Sequence, residues 1–175
     1  MQADLFWIPG PWRGHLAIVS RPRGGDWLDD EASAWRRAGI DVILSLLENE
    51  EAGQLGLGDE RQAAENQGID FISFPIPDRS IPASTEAAMS AIGRIATQLD
   101  GGKNVALHCR QSVGRAGLIA TALLVSSGIS VGEAMQIVSS ARGVSVPETR
   151  EQRVWLEELP SHVPVTSVPG LESVA

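Results

Sequence analysis

Residues 104–128 read NVALHCRQSVGRAGLIATALLVSSG. The opening run, NVALH, is a continuous apolar stretch of strand length, and LIATALLV, residues 118–125, is apolar almost all round over a helical length. Both patterns belong to elements buried in a protein interior. Between them lies a short loop, Cys109 to Arg115, holding the only cysteine of the 175-residue chain. A core strand that turns directly into a core helix is the repeating unit of an α/β sheet. The carboxyl end of the strand and the N-terminus of the helix form the edge where such sheets bind ligands.

The same alternation extends to either side. HLAIVS (15–20), DVILSLL (41–47) and DFISFPI (70–76) read as further strands beside NVALH (104–108),. Helical patterns occupy 29–38, 59–67, 84–100, 115–127, 131–142 and 148–159, so the layout is α/β. Ser130 with Glu133, and Ser145 with Glu148 followed by the run from Thr149, match the spacing of a capping box, and Pro147 suits a first helical turn,. Beyond Leu159 the sequence PSHVPVTSVPGLESVA has three prolines and no helical period, which predicts a tail,.

Composition narrows the function. One cysteine permits no internal disulfide and no zinc site built on several thiolates,. A formal charge of −8 argues against nucleic acid or an anionic membrane as partner, because those surfaces reward clustered Lys and Arg,. The longest apolar run is far short of the roughly 20 residues that cross a bilayer, and no basic-then-apolar leader opens the sequence. These features predict a cytoplasmic protein.

The loop itself suits a bound dianion. Its backbone N–H groups can curl inward, the helix dipole adds positive potential, and the Arg115 guanidinium forks toward oxygens as a phosphate requires. A cation in the first turn of a helix opposes the dipole, so Arg115 at that position itself points to an anion. An ordinary thiol of pKa about 8.5 is only about 3% ionised at pH 7, and the same positive environment favours the thiolate and activates Cys109 as a nucleophile. A lone cysteine is commonly just a small buried hydrophobe. Here the compound pattern of strand, His108, Cys109, five residues, Arg115 and helix overrides that reading.

This Cys-x5-Arg pattern resembles the signature loop of the cysteine-dependent protein tyrosine phosphatase superfamily. FPIPDRSIP (74–82) resembles the general-acid loop of its dual-specificity branch, with Asp78 standing 31 positions before Cys109. VPETREQRVWLEEL (146–159) resembles the C-terminal helix of that branch, where Gln152 falls near a polar residue that faces the site. The similarity covers about residues 5–159, and the cysteine loop is its most specific part. It implies a central, mostly parallel (mixed) sheet flanked by helices, a catalytic domain over 1–160 and a separate tail over 161–175.

For function, the resemblance implies a metal-independent phosphomonoester hydrolase without cofactor. Cys109 would be the nucleophile and Asp78 the general acid, then base. Arg115 would hold the phosphate together with the loop residues Arg110, Gln111, Ser112, Val113 and Gly114, while His108 and Gln152 would support the site. Two positions depart from the family pattern. Ala116 replaces the Ser or Thr whose hydroxyl stabilises the departing thiolate, which predicts slow turnover of the phosphoenzyme. Ser112 stands where many members have glycine, so a positive φ there would be strained. The chain has no tyrosine, so the deep tyrosine-walled pocket of the phosphotyrosine-specific enzymes is not expected; a shallow pocket would take phosphotyrosine and other phosphomonoesters, on proteins or small molecules. Arg79 and Arg110 read as rim charges that attract such substrates. Two other readings share some of these residues: a phosphate-binding module with little turnover, and a rhodanese-like sulfurtransferase, whose loop is shorter and which needs no Asp78. Oligomeric state is not legible.

Overall fold

The computed structural model describes residues 3–160; the tail expected at 161–175 lies outside them. Five strands form one mixed sheet: β1 (Leu5–Ile8), β2 (Leu16–Val19), β3 (Val42–Ser45), β4 (Asp70–Ser73) and β5 (Val105–His108). Their order is β1-β2-β5-β3-β4, with β1 antiparallel to β2 and every other pair parallel. The strand that leads into Cys109 is therefore the middle one. Its register pairs Leu107 with Ile18 on one side and Leu44 on the other. Strands β2, β3 and β5 are buried along their whole length, as expected of a parallel sheet covered on both faces,.

Among the described residues seven α-helices cover the sheet: α1 (Leu28–Arg37), α2 (Asn49–Gln54), α3 (Glu60–Asn66), α4 (Thr85–Asp100), α5 (Gly114–Ser126), α6 (Val131–Arg142) and α7 (Arg150–Glu157). Alternation along the strands divides the core in two. Leu16, Ile18, Leu44 and Leu107 face α4, α5 and α6, whereas Ala17, Val19, Ile43 and Ala106 face α1 and α3,. Helix α4 earns its place through Ala88, Ile92, Ile95 and Leu99, which repeat at helical spacing on the buried face, and Ser84 caps it by accepting from the Ala87 N–H,. Helix α5 is buried from Gly114 through Val125, as its all-round apolar sequence requires. Ser130 accepts from the Glu133 N–H at the start of α6, and Gly143, at φ 69°, ends that helix in the left-handed conformation,.

Three features differ from the sequence reading. Strand β1, LFWI, was not expected; it is an edge strand, held by its antiparallel pairing with β2. Helix α2 was also missed: NEEAGQ has no apolar repeat. Helix α7 starts at Arg150 rather than 148, and its capping box is Thr149 with Gln152, not Ser145 with Glu148. Pro147 explains this shift, since the residue before a proline is held out of the helical region and Val146 cannot begin a helix. No helix among the described residues is long and apolar enough to cross a membrane.

Candidate active site

Cys109 follows the last residue of β5 and is 3% exposed, at the floor of a recess of about 230 Å³. The recess is lined by Cys109, Arg110, Gln111, Gly114 and Arg115 from the loop, by Asp78 and Arg79 from the segment after β4, and by Glu148. Helix α5 begins at Gly114 without any side-chain cap. The first N–H groups of a buried helix need partners, and an anion in the recess is suited to take that role. Ser112 has φ 54°, so the strain anticipated at this serine is present,. Its Oγ donates to the Val19 carbonyl at 2.6 Å and ties the loop to β2. Ala116 is fully buried and offers no hydroxyl.

Arg115 is 2% exposed and its charge is tightly matched. Its Nη1 donates to Glu51 Oε2 at 2.7 Å and its Nη2 to Glu51 Oε1 at 2.8 Å, a two-pronged pair,. Nη1 also donates to the Ile76 carbonyl at 3.0 Å. Burial works against the charged guanidinium, but the Glu51 hydrogen bonds and the charges of Cys109, Glu51 and Asp78 outweigh it and raise Arg115 above its ordinary value. In return, hydrogen bonding to Arg115, helped by its charge, holds the Glu51 carboxyl below the usual carboxylate range despite burial. Glu51 takes the Nη1–Nη2 edge, which leaves the Nε–Nη2 edge for a phosphate.

Asp78 lies across the recess with its Oδ1 3.0 Å from Arg115 Nη2, and its side chain is 61% exposed. The three residues singled out as catalytic from sequence thus converge on one recess. Arg79, the next residue, has φ 58° and reaches to 4.0 Å from Glu148 Oε1. A Cβ on Gly114 would run into the Glu148 carboxylate, so glycine is what lets that side chain lie against the loop.

Gln152 does not face the recess. It is fully buried, accepts from the backbone N–H groups of Glu148 and Thr149, and donates to the Ser80 carbonyl at 3.0 Å. It supports the site by tying α7 to the segment that carries Asp78, while Glu148, four residues earlier, is the side chain from this region that reaches the recess. The displacement follows from the later start of α7, which places Gln152 at the third helical position, pointing back over the cap.

His108 points to the opposite face of the sheet from Cys109, stacked near Trp35 with ring centroids 6.5 Å apart. Its Nε2 lies 2.6 Å from Glu60 Oε1, but off the line of a hydrogen bond, and Nδ1 has no hydrogen-bond partner among the described residues. Both side chains are buried. Sequence reasoning found neither Glu51 nor Glu148. The one signal for Glu51 was an acidic cluster, ENEE, at the carboxyl end of a core strand, on the same sheet edge as Cys109. Among the described residues no group of three or more His, Cys, Asp or Glu side chains is placed to hold a metal ion.

A cysteine and an arginine bracketing a loop between the central strand and a buried helix, with an aspartate facing them, define a cysteine-dependent phosphatase of the tyrosine and dual-specificity class. The chain belongs to the family described as polymorphic toxin system, DSP-PTPase phosphatase, whose model matches residues 17–129. No curated protein matches it by sequence. Among solved structures, Tk-PTP in its active form is 30% identical, with a TM-score of 0.72 over 90% of this chain and 97% of that one. The kinase associated phosphatase, with its catalytic cysteine replaced by serine, is 18% identical with a TM-score of 0.79 over 90% and 94%. Human DUSP28 is 19% identical with a TM-score of 0.59 over 86% and 91%. The last two show the fold alone. The chain is a hydrolase of phosphomonoesters, and neither the sulfurtransferase reading nor the binding-module reading gains support from these comparisons.

Proposed function

We propose that Cys109, Asp78 and Arg115 carry the hydrolysis. The observation behind this reading is their convergence on a single recess, although Asp78 comes from a segment 31 positions before Cys109. In the first step Cys109 Sγ attacks phosphorus, the bond from phosphorus to the ester oxygen breaks, and Asp78 gives its proton to that leaving oxygen. In the second step water attacks the cysteinyl-phosphate, Asp78 takes a proton from the water, and the thiolate departs with release of phosphate. Arg115 holds the equatorial oxygens through both steps, and the loop N–H groups of 110–115 share that charge.

The substrate is a phosphorylated protein or a small phosphomonoester. A recess of this size, with no tyrosine in the chain to deepen it, suits phosphotyrosine and shorter phosphoesters alike. A cytoplasmic location fits a reaction that depends on a reduced thiol.

Hydrolysis of p-nitrophenyl phosphate without added metal tests this reading. Cys109→Ser is expected to abolish it and Asp78→Ala to lower it by about 10²-fold or more. Arg115→Lys should also lose most activity, because an ammonium is a point charge and cannot make the forked contact. Full activity in Cys109→Ser would overturn the proposal.

A further inference from the structure

Three side-chain hydrogen bonds anchor the cysteine loop on the side away from the recess, one from its own Ser112 and two from arginines outside it. Ser112 Oγ reaches Val19, Arg142 Nε donates to the Ser112 carbonyl at 2.8 Å, and Arg21 Nε donates to the Arg110 carbonyl at 3.3 Å. Neither arginine lines the recess. Arg142 stands in the last turn of α6 and lays its guanidinium over the Phe6 ring of β1, 3.9 Å from the ring centre. Among the described residues no carboxylate comes within ion-pair distance of it. Burial lowers it from its ordinary value, with the charges of Asp4 and Cys109 acting the other way. A half-buried cation that lacks an ion pair is costly to fold around, and the proposed chemistry of Cys109, Asp78 and Arg115 does not use it.

Its use follows from peptide geometry. In a trans peptide the C=O of one residue and the N–H of the next point in opposite directions within one plane. A carbonyl held outside the loop therefore sends the following N–H inward. We propose that Arg142 is a positioning residue for phosphate binding: its hold on the Ser112 carbonyl aims the Val113 N–H into the recess. The inference rests on the reading of 109–115 as a phosphate cradle.

Ser112 is also where the loop backbone is strained, at φ 54°, so the orientation of the 112–113 peptide that follows it bears directly on the shape of the cradle,. A flipped peptide would turn a carbonyl oxygen toward the phosphate and replace attraction by repulsion. Arg21 does the same two residues earlier, at longer range, for the Gln111 N–H. The charged groups that line the recess are Arg110 and Arg115 from the loop, Asp78 and Arg79 from the segment after β4, and Glu148. Arg142 acts from behind them through the backbone.

The test is the inhibition constant of inorganic phosphate, with orthovanadate as a second probe, in the full chain and in Arg142→Met and Arg142→Lys. Arg142→Met keeps the apolar stem over Phe6 and is expected to weaken phosphate inhibition about tenfold, the loss of one well-aimed bond to an anion. Arg142→Lys keeps a cation and a donor and should recover part of that loss. A merely structural role would lower the melting temperature and the active fraction while leaving the inhibition constant alone, because that constant does not depend on how much enzyme is active. If Arg142→Met does not fold, Arg142→Gln is measured in its place. An unchanged constant in a native protein that phosphate does inhibit overturns this inference alone. A native protein that phosphate fails to inhibit overturns the cradle reading and this inference with it.

Discussion

Glu51 and Arg115, 64 positions apart in sequence, meet through two hydrogen bonds of 2.7 and 2.8 Å beside the Cys109 recess. The pair fixes which edge of the guanidinium faces the recess. Glu51 and Arg115 are both almost fully buried, so each depends on the other for its charge to be tolerated,. Asp78 brings a second carboxylate to the same guanidinium from the exposed side. On the proposed reading, a phosphate held by Arg115 would compete with Asp78 and not with Glu51.

Glu51→Gln is expected to cost about 3 kcal/mol, as removal of one member of a buried pair does, and to lower activity more than tenfold by freeing Arg115 to turn. The pH dependence follows from the lowered Glu51 carboxyl. A carboxylate with a depressed value in the fold contributes stability that is complete above the ordinary carboxylate range and is lost as pH falls through the lowered value. Urea unfolding followed from pH 7 into acid should show this loss in the native protein and a smaller one in Glu51→Gln. Parallel acid curves for the two proteins would remove Glu51 from the account.

Ser112 combines a strained backbone with a useful hydroxyl. Ser112→Ala keeps the strain and loses the bond to Val19, costing about 1 to 2 kcal/mol. Ser112→Gly loses the same bond but relieves a left-handed φ that costs a side chain about 1 kcal/mol. The glycine variant is therefore the more stable of the two in thermal melts. The reverse order would show that φ 54° at this position carries no strain.

Gln152 links the cap of α7 to Ser80, two residues past Asp78. Gln152→Ala should cost about 1 to 2 kcal/mol by leaving buried N–H groups and a carbonyl without their partner. Its effect on activity depends on the substrate. If Asp78 is the proposed acid, phosphotyrosine, whose leaving oxygen needs a proton, should slow more than p-nitrophenyl phosphate, whose leaving group is a good one without it. Measuring kcat/KM for both substrates gives the ratio, and equal slowing would mean that Gln152 does not hold the acid segment in place.

The division between what the chain order reveals and what folding adds is visible in these residues. NVALH, the loop 109–115 and LIATALLV are neighbours in sequence, so the apolar runs and one fixed spacing located a core strand, Cys109, Arg115 and the buried helix without any tertiary information,. Asp78 was legible because its distance along the chain from Cys109 resembles a known family, and the strain at Ser112 because its place in the loop does. Strand β1 and helix α2 were not legible, since an edge strand is fixed by its pairing with β2 and the six residues of α2 carry no apolar repeat. Only the tertiary structure decided that Glu51 is the partner of Arg115, that Glu148 rather than Gln152 reaches the recess, and that Arg142 grips the loop from behind. The physical reason is the same in each case. A buried charge or carbonyl takes whichever partner the sheet order and helix packing bring within about 3 Å, and that choice is made between segments far apart in the chain.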